Sequence, residues 1–319
     1  MAAIQTRGLS KRYGDVVALD GLSLSVDHGE CYGFLGPNGA GKSTTINVLT
    51  GQLRPDEGTA RVAGVDPVVT PVEARRHVGV LPENGRPPSF LTVREYFEFA
   101  AATRGLDAET LASRLDRWAE RLAFAEKLDT LCADLSQGER QKVLVAQAFV
   151  HEPPVVFIDE PLTNLDPIVQ ERVKRFFETY RRAGNTLFLS THFVGTAAEV
   201  CTEVGIVNRG RLLTELRPRG MDGDALLDRF FEIVDDDVTV DEDDLAVRDD
   251  DAATPVGDPT TPADDPATPA GDSATPVGDP ATSAGDPTMP PGDREDGRAD
   301  GADPFETTPG TGTSSSTDP

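Results

Sequence analysis

The chain has 319 residues, which is enough for one or two domains with a buried core. Its formal net charge of −25 is concentrated near the C-terminus, because residues 235–319 contain 23 of the 55 acidic residues and only 3 of the 30 basic ones. Residues 1–234 are therefore only mildly acidic, and the absence of a basic surplus there argues against a nucleic-acid partner.

Short strand-like and helix-like segments alternate along residues 1–217, which predicts one α/β domain with a mixed sheet core. The predicted strands are Ile4–Leu9, Leu22–Val26, Glu30–Leu35, Ala60–Ala63, Val78–Leu81, Val155–Ile158, Thr186–Leu189, Val204–Asn208 and Arg211–Glu215. The predicted helices are Lys42–Thr50, Val93–Thr103, Ala108–Phe124, Gln137–Val150 and Pro167–Arg182. Strands with few polar positions, such as residues 155–158, are typical of a sheet buried on both faces.

The pattern between residues 87 and 150 is almost purely helical, and this predicts a helical subdomain inserted into the α/β domain. The longest apolar run, residues 143–150, contains Gln147 and is far shorter than the ~20 residues that a membrane-spanning helix needs. Basic residues interrupt the N-terminal segment before any apolar region, so no signal peptide is predicted. These features favour a cytoplasmic protein.

Residues 36–44 read Gly-Pro-Asn-Gly-Ala-Gly-Lys-Ser-Thr and satisfy the phosphate-loop pattern GxxxxGK[ST] between a predicted strand and a predicted helix. Glycines allow backbone N–H groups to converge on phosphate oxygens, and the helix N-terminus adds positive potential. Lys42 is expected to reach the β- and γ-phosphates of ATP, and the Ser43 hydroxyl to bind Mg²⁺. The predicted nucleotide-binding residues are Gly36, Pro37, Asn38, Gly39, Ala40, Gly41, Lys42, Ser43 and Thr44.

Two carboxylates follow the apolar strand at residues 155–158. Asp159 is expected to help bind Mg²⁺ at the carboxyl end of that strand. Glu160 is placed to orient or deprotonate the attacking water. A GTPase is disfavoured, because no Asn-Lys-x-Asp guanine motif occurs in the sequence.

Residues 135–140 read Leu-Ser-Gln-Gly-Glu-Arg. Between a phosphate loop and an Asp-Glu strand end, this hexamer resembles the signature motif of ATP-binding cassette (ABC) ATPases, and the resemblance covers residues 4–217. It implies the ABC type of P-loop NTPase fold and a signature, Ser136, Gln137, Gly138 and Glu139, that acts on the nucleotide of a second subunit. The common form of the motif is Leu-Ser-Gly-Gly-Gln, so Gln137 and Glu139 are departures, whereas Ser136 and Gly138 keep the donors expected to face the partner's γ-phosphate.

The same resemblance assigns further roles. Tyr13 resembles the aromatic residue that stacks on adenine, Asp166 belongs to the D-loop that crosses the dimer interface (residues 162–167), and His192 resembles the switch histidine that contacts the γ-phosphate. Glu83 replaces the glutamine that is commonest in the loop between the sheet and the helical subdomain. Its carboxylate can accept a hydrogen bond from water or bind Mg²⁺, but it cannot donate as an amide does.

The resemblance therefore implies an ATP-binding and ATP-hydrolysing subunit, with Glu160, His192 and Glu83 as catalytic residues and ATP and Mg²⁺ as ligands. Such a subunit forms a dimer, here expected to be a homodimer, and powers a separate membrane permease of the exporter-type branch from the inner face of the cell membrane. Two alternatives remain. A soluble ABC ATPase of DNA repair or translation usually has long coiled coils or two cassettes, and a regulatory module would hydrolyse ATP weakly because of Glu83 and the altered signature.

Residues 218–234 contain a short amphipathic segment that predicts a C-terminal helix, and residues 235–319 are predicted to be a disordered acidic tail. Six seven-residue units repeat along residues 253–294, but proline recurs in them and a coiled-coil stripe is missing. A solvated tail is favoured over a docking or spacer element. The chain has 5 Lys against 25 Arg and is rich in Asp, which favours adaptation to high internal salt, where charges are screened within ~3 Å at 1 M.

Overall fold

The computed structural model of the chain describes residues 2–160 and 165–242, with side chains described through residue 237. Residues 161–164, which include positions 162–164 of the predicted D-loop, and residues 243–319 of the predicted tail lie outside the described residues. The strands are β1 Ala2–Tyr13, β2 Val16–Asp27, β3 Cys31–Leu35, β4 Glu57–Val62, β5 Val78–Leu81, β6 Val155–Asp159, β7 Thr186–Thr191, β8 Glu203–Asn208 and β9 Arg211–Leu216. The helices are α1 Lys42–Leu49, α2 Pro71–Arg76, α3 Val93–Ala102, α4 Ala108–Leu122, α5 Gln137–Phe149, α6 Pro167–Arg182, α7 Val194–Val200 and α8 Gly223–Glu242.

Two sheets form the centre of the domain. The larger sheet has the strand order β5-β6-β7-β3-β8-β9, and its strands are parallel except for β9, which runs antiparallel to β8. The smaller sheet has the order β2-β1-β4 and is antiparallel throughout. The prediction of a mixed α/β core is therefore confirmed. The carboxyl ends of β3, β6 and β7 meet at one edge, where open α/β sheets bind ligands.

The central strands of the larger sheet, β3, β6 and β7, are buried on both faces, as their apolar sequences predicted. Along β6, Val155 and Phe157 pack into the core shared with the smaller sheet and α1. Val156 and Ile158 point to the opposite core, which is shared with helices α3 to α8. Because side chains alternate along a strand, one short apolar run supplies both cores. This packing fixes the strand ends that carry the candidate site.

The helical region between α3 and α5 is joined to the domain by an aromatic cluster. The Trp118 ring lies 5.8 Å from the Phe149 ring and 4.8 Å from the Phe176 ring, centroid to centroid. These residues come from α4, α5 and α6, so the cluster ties three helices together. The Trp118–Phe176 pair meets edge to face, and such a pair stabilises beyond the area it buries. The cluster thereby fixes the position of α5, whose first turn contains the predicted signature.

The five helices predicted over residues 42–182 occur as α1, α3, α4, α5 and α6, with ends within two residues of the predicted ones. Two helices were missed. The α2 and α7 helices have 6 and 7 residues, which is too short for a helical repeat of apolar residues to be recognised. The predicted β1 ended too early and the predicted β2 began too late, because the two strands continue as a long antiparallel pair to Tyr13 and from Val16.

The C-terminal amphipathic segment lies within a longer helix, α8, which extends past the predicted boundary at residue 234 to Glu242. Leu226 is fully buried against the core. Beyond it, Asn208 Nδ2 donates a hydrogen bond to Asp237 Oδ2 over 2.8 Å, which anchors the acidic end of α8 to the larger sheet. The run of aspartates resembled a solvated tail because this partner lies far away in sequence. None of the helices in the part of the chain described combines the length and apolar composition of a membrane span.

Candidate functional site

An open cleft of about 380 Å³ lies at the carboxyl edge of the larger sheet. Its lining brings together residues that are far apart in sequence: Tyr13, Val16, Val17, Ala18, Asn38, Gly39, Gly41, Lys42, Ser43, Thr44, Glu83, Asp159, Glu160 and His192. Gly36, Pro37 and Ala40 complete the loop between β3 and α1. The predicted phosphate loop, the strand-end carboxylates and the predicted switch histidine thus share one cleft.

The loop between β3 and α1 is held by close backbone approaches that only glycine permits. A Cβ atom on Gly36 would lie 2.4 Å from the Val207 carbonyl oxygen, and a Cβ atom on Gly41 would lie 2.5 Å from the Ala18 carbonyl oxygen. Gly41 is also the N-cap of α1 and has a φ of 95°, a left-handed conformation. The loop therefore brings backbone amides to the start of a helix, which is a ready site for phosphate.

Lys42 is buried beneath this loop, where its Nζ atom donates hydrogen bonds to the carbonyl oxygens of Gly36, at 2.7 Å, and Pro37, at 3.0 Å. Burial lowers the pKa of Lys42, and the neighbouring carboxylates, of which Glu160 and Asp159 act most strongly, oppose that shift. The cleft thus combines a buried ammonium group with several carboxylates. This charge pattern suits an anion that is bridged to the carboxylates by a metal ion.

A pair of oxygen ligands faces the same space. Ser43 Oγ donates a hydrogen bond to Asp159 Oδ2 over 3.0 Å, and Glu83 lies exposed on the cleft wall after β5. Within the described ranges no group of three or more His, Cys, Asp or Glu side chains could hold a metal by itself. Mg²⁺ uses one or two protein oxygens and completes its octahedron with phosphate and water, so these residues fit Mg²⁺.

Glu160 is buried and in direct contact with the loop after β7. Its Oε1 atom accepts hydrogen bonds from the backbone N–H of His192, at 3.0 Å, and from His192 Nδ1, at 2.6 Å. Its Oε2 atom accepts a hydrogen bond from Thr191 Oγ1 at 3.0 Å. Sequence reasoning placed Glu160 and His192 but missed Thr191, because a threonine inside a strand is an ordinary β-branched residue and belongs to no motif.

Tyr13 ends β1 and is half exposed at the rim of the cleft, with Lys11 Nζ 5.8 Å from its ring centroid. Val16 and Val17 extend this rim, and they are 65% and 39% exposed. An aromatic ring beside two exposed valines forms an apolar ledge that can receive a flat ring. The valines were missed in the sequence because nothing distinguishes them from other strand residues.

The predicted signature lies outside this cleft, at the N-terminus of α5. Ser136 is the N-cap and forms a capping box: its hydroxyl accepts from the Glu139 N–H at 3.3 Å, and Glu139 Oε2 accepts from the Ser136 N–H at 2.9 Å. Lys127 Nζ lies 3.1 Å from Glu139 Oε1. Gln137 is exposed and Gly138 is half-buried. Glu139, a departure from the common motif, therefore caps its own helix.

Asp166 also lies outside the cleft. It is the N-cap of α6, where its Oδ1 atom accepts a hydrogen bond from the Val169 N–H at 3.0 Å. Asp166 is exposed, whereas Leu165 beside it is buried. The other predicted D-loop positions fall largely on residues 161–164, outside the described residues.

Glu139→Gln is expected to destabilise the protein in a pH-dependent way. The Ser136 N–H, followed by the Lys127 ammonium and the Ser136 hydroxyl, lowers the pKa of Glu139 to about 2. A carboxyl group with a lowered pKa stabilises the folded state above its ordinary pKa of 4.5, and this stability is lost as the pH falls toward 2. In urea, the variant should unfold at a lower midpoint than the wild type at pH 7. The difference between the two midpoints should become smaller below pH 4.5.

A difference that stays constant with pH would contradict this account of Glu139. Glu126→Gln is the matched control, because Glu126 lies next to Lys127 and outside the capping box. This control should unfold at the wild-type midpoint across the same pH range.

Comparison with known proteins agrees with this geometry. Residues 19–163 match the family model described as "ABC transporter". The chain is 35% identical over 215 residues to the Nod factor export ATP-binding protein I of Ralstonia nicotianae, covering 67% of each chain. It is 35% identical over 222 residues to the protein of the same name from Burkholderia orbicola, covering 69% of this chain and 73% of the relative.

A solved ATP-binding subunit of an ABC transporter superposes with a TM-score of 0.68 at 30% identity, covering 72% of this chain and 99% of that one. A dimeric ATP-binding cassette bound to ADP and Pi superposes with a TM-score of 0.62 at 22% identity, which shows the shared fold. With this fold, this cleft and these relatives, the chain belongs to the family of ABC transporter ATP-binding subunits.

Proposed function

We propose that this protein hydrolyses ATP to power a separate membrane permease, and that the transporter is an exporter. The observation that carries the proposal is the convergence of the phosphate loop, Asp159, Glu160 and His192 in one cleft. The relatives named Nod factor export ATP-binding protein I support the exporter assignment. The family relationship alone supports ATP binding, whereas hydrolysis depends on the residues of the cleft.

Each group in the cleft has a chemical task in this proposal. The loop amides and Lys42 bind the β- and γ-phosphates, with the ammonium exchanging its two carbonyl partners for phosphate oxygens. Ser43 and Asp159 would hold Mg²⁺, with Glu83 on the cleft wall as a further oxygen ligand, and the ion would supply positive charge against the charge that develops on the phosphates. Glu160 takes the proton of the attacking water. His192 turns from Glu160 to the γ-phosphate.

The proposal includes a dimer in which each signature completes the partner's site. Ser136 and Gln137 are exposed at the start of α5, outside the cleft of their own subunit. A helix N-terminus with an exposed hydroxyl attracts phosphate, and here a second subunit must supply that phosphate. The exposed Asp166 at the start of α6 would lie in the same interface. ATP then joins two copies of the chain, and hydrolysis separates them.

A permease is proposed to contact the helical region beside the Glu83 loop. Phe90, Phe99 and Leu131 are 78%, 60% and 43% exposed there, and the Cys132 N–H donates to the Leu91 carbonyl oxygen, which brings the chain segments of Phe90 and Leu131 together. Exposed apolar groups of this size mark interaction surfaces. The protein would therefore lie on the inner face of the cell membrane, bound through its permease.

Tyr13→Ala is expected to weaken ATP binding about tenfold, because stacking on a base contributes ~1–3 kcal/mol. Tyr13→Phe keeps the ring and should bind ATP with the wild-type Kd, since the proposal assigns no role to the hydroxyl. Isothermal titration with ATP and with inorganic triphosphate separates the two parts of the ligand. If Tyr13→Ala weakens the binding of ATP and of inorganic triphosphate by the same factor, Tyr13 does not contact adenine.

Co-expression with a multi-span membrane protein, where the neighbouring reading frame encodes one, tests the whole proposal. The detergent-solubilised complex should contain both chains and hydrolyse ATP faster than the isolated subunit. A soluble ABC ATPase would hydrolyse ATP but would not purify with a membrane protein. A regulatory module would bind ATP in the complex without turnover, and either result would replace the proposed function.

A further inference from the structure

The buried threonine beside the predicted switch histidine has no role in the proposed function so far. Thr191 is the last residue of β7 and is fully buried. Its hydroxyl donates to Glu160 Oε2 at 3.0 Å and accepts from the Phe193 N–H at 3.0 Å. A hydroxyl group has one proton, and here that proton is directed at the carboxylate. Thr191 thus links Glu160 to the backbone of the loop that carries His192.

The sheet fixes the position of this hydroxyl. Thr191 pairs with Leu35, the residue directly before the phosphate loop, and Ser190 pairs with Asp159. The Ser190 carbonyl oxygen accepts the Glu160 N–H at 3.0 Å. Strand pairing therefore places the Thr191 hydroxyl, the phosphate loop and the base in one rigid frame.

Glu160 needs contacts that hold its backbone and its carboxylate in place. Its φ of 53° is in the left-handed region, which a residue with a Cβ atom adopts only at a cost. Its carboxylate is buried, and a buried charge is stable only with hydrogen-bond donors. The side-chain contact with Oε1 comes from His192 Nδ1, and this side chain is 45% exposed, with its ring 4.0 Å from that of Phe193, centroid to centroid. Oε2 accepts a hydrogen bond from the hydroxyl of Thr191, which is fully buried.

We propose that Thr191 is a positioning residue for ATP hydrolysis: its hydroxyl holds Oε2 of Glu160 in place while His192 leaves Oε1 for the γ-phosphate. The inference rests on the proposed role of Glu160 as the base. In the resting protein both carboxylate oxygens are engaged. When the His192 side chain turns away, Oε1 keeps the hydrogen bond from the His192 backbone N–H and can accept one from the water in place of the one from Nδ1. Thr191 holds Oε2 and keeps the carboxylate from rotating out of line.

Thr191→Val removes the hydroxyl with little change in shape. We expect its kcat to fall about tenfold, the loss of one hydrogen bond to a charged group, with the KM for ATP within twofold of wild type. Thr191→Ser keeps the hydroxyl and therefore both hydrogen bonds, so its kcat should stay within about twofold of the wild-type value. A raised KM at constant kcat, or a valine variant as fast as wild type, would overturn the proposal.

Thr6→Val is a matched control. Thr6 is also buried, donates to the Leu22 carbonyl oxygen at 3.2 Å and accepts from the Leu24 N–H at 2.9 Å. It lies in the antiparallel sheet and does not line the cleft. Its loss should lower the unfolding midpoint and leave kcat at the wild-type value. If Thr6→Val lowers kcat as much as Thr191→Val, the effect is general destabilisation and the inference fails.

A double variant separates this inference from the proposed function. If Thr191 acts through Glu160, adding Thr191→Val to Glu160→Gln should lower the residual single-turnover rate by less than twofold. A further tenfold loss would show that Thr191 acts elsewhere and would overturn the inference. If Glu160→Gln alone turns over normally, the proposed base is wrong, which is a separate result.

The hydrogen bond between Thr191 and Glu160 can also be tested without nucleotide. In urea unfolding of the nucleotide-free protein, Thr191→Val should lower the midpoint, and the loss should shrink in a Glu160→Ala background, where no carboxylate needs the donor. If Thr191→Val lowers the unfolding midpoint equally in the wild type and in Glu160→Ala, the hydrogen bond on which the inference rests is contradicted.

Discussion

Glu160→Gln is expected to lower the rate of ATP hydrolysis by a factor of about 10²–10⁴, the contribution of a positioned general base. Glutamine keeps the length of the side chain, and its amide oxygen can still accept from Thr191 or His192. It cannot take a proton from water. ATP binding should be unchanged, because Lys42 and the loop amides are intact.

The same variant is expected to accumulate as an ATP-bound dimer, since hydrolysis is the step that separates the subunits. Size-exclusion chromatography with light scattering, in ATP and Mg²⁺, measures this directly. Glu152→Gln is the control, because Glu152 also has a left-handed φ, of 51°, but pairs with Arg114 outside the cleft. If Glu160→Gln stays monomeric in ATP and hydrolyses it at the normal rate, the proposed mechanism is wrong.

The phosphate loop and the Asp159–Glu160 pair could be predicted because each depends on neighbours in sequence. Glycines at fixed spacing, an apolar strand before them and a helix after them describe the local geometry completely. The contact between Glu160 and Thr191 could not be predicted in this way. It depends on the parallel pairing of β6 with β7, and that register joins segments that no local pattern relates.

Glu139 shows in one residue what the sequence can predict and what it cannot. The pattern Ser136-x-x-Glu139 is a capping box that can be recognised in sequence, yet the resemblance to the signature motif drew attention to a role in the partner's site. The ion pair with Lys127 requires the fold. Glu139 therefore has a structural reason to be a carboxylate, and the roles of Ser136 and Gly138 toward a second nucleotide stay predictions.

The strands were predicted better than the short helices and the C-terminal helix. Strands buried on both faces are recognisable as apolar runs, whereas α7 has too few residues to show a helical pattern. The anchoring of Asp237 by Asn208 depends on a tertiary contact. The adaptation to high salt and the solvated tail beyond residue 242 stay predictions.

Two inactive variants are expected to restore activity when mixed, if the signature acts on the partner's nucleotide. Lys42→Ala removes the ammonium group from a subunit's own phosphate loop. Gly138→Asp places a carboxylate at the first turn of α5, where it suits the helix N-terminus but repels the partner's γ-phosphate. Each homodimer has both sites damaged, so each variant alone should lose nearly all hydrolysis.

A mixed dimer behaves differently because both substitutions fall in the same composite site. The other site then joins an intact phosphate loop to an intact signature, so an equal mixture should recover about a quarter of wild-type activity if pairing is random and the two sites work independently. Mixing Lys42→Ala with Glu160→Gln should recover none, since both act on a subunit's own cleft and each site keeps one defect. Failure of the first mixture, with mixed dimers detected by mass, would place the signature in its own subunit's site and remove the main reason for proposing a dimer.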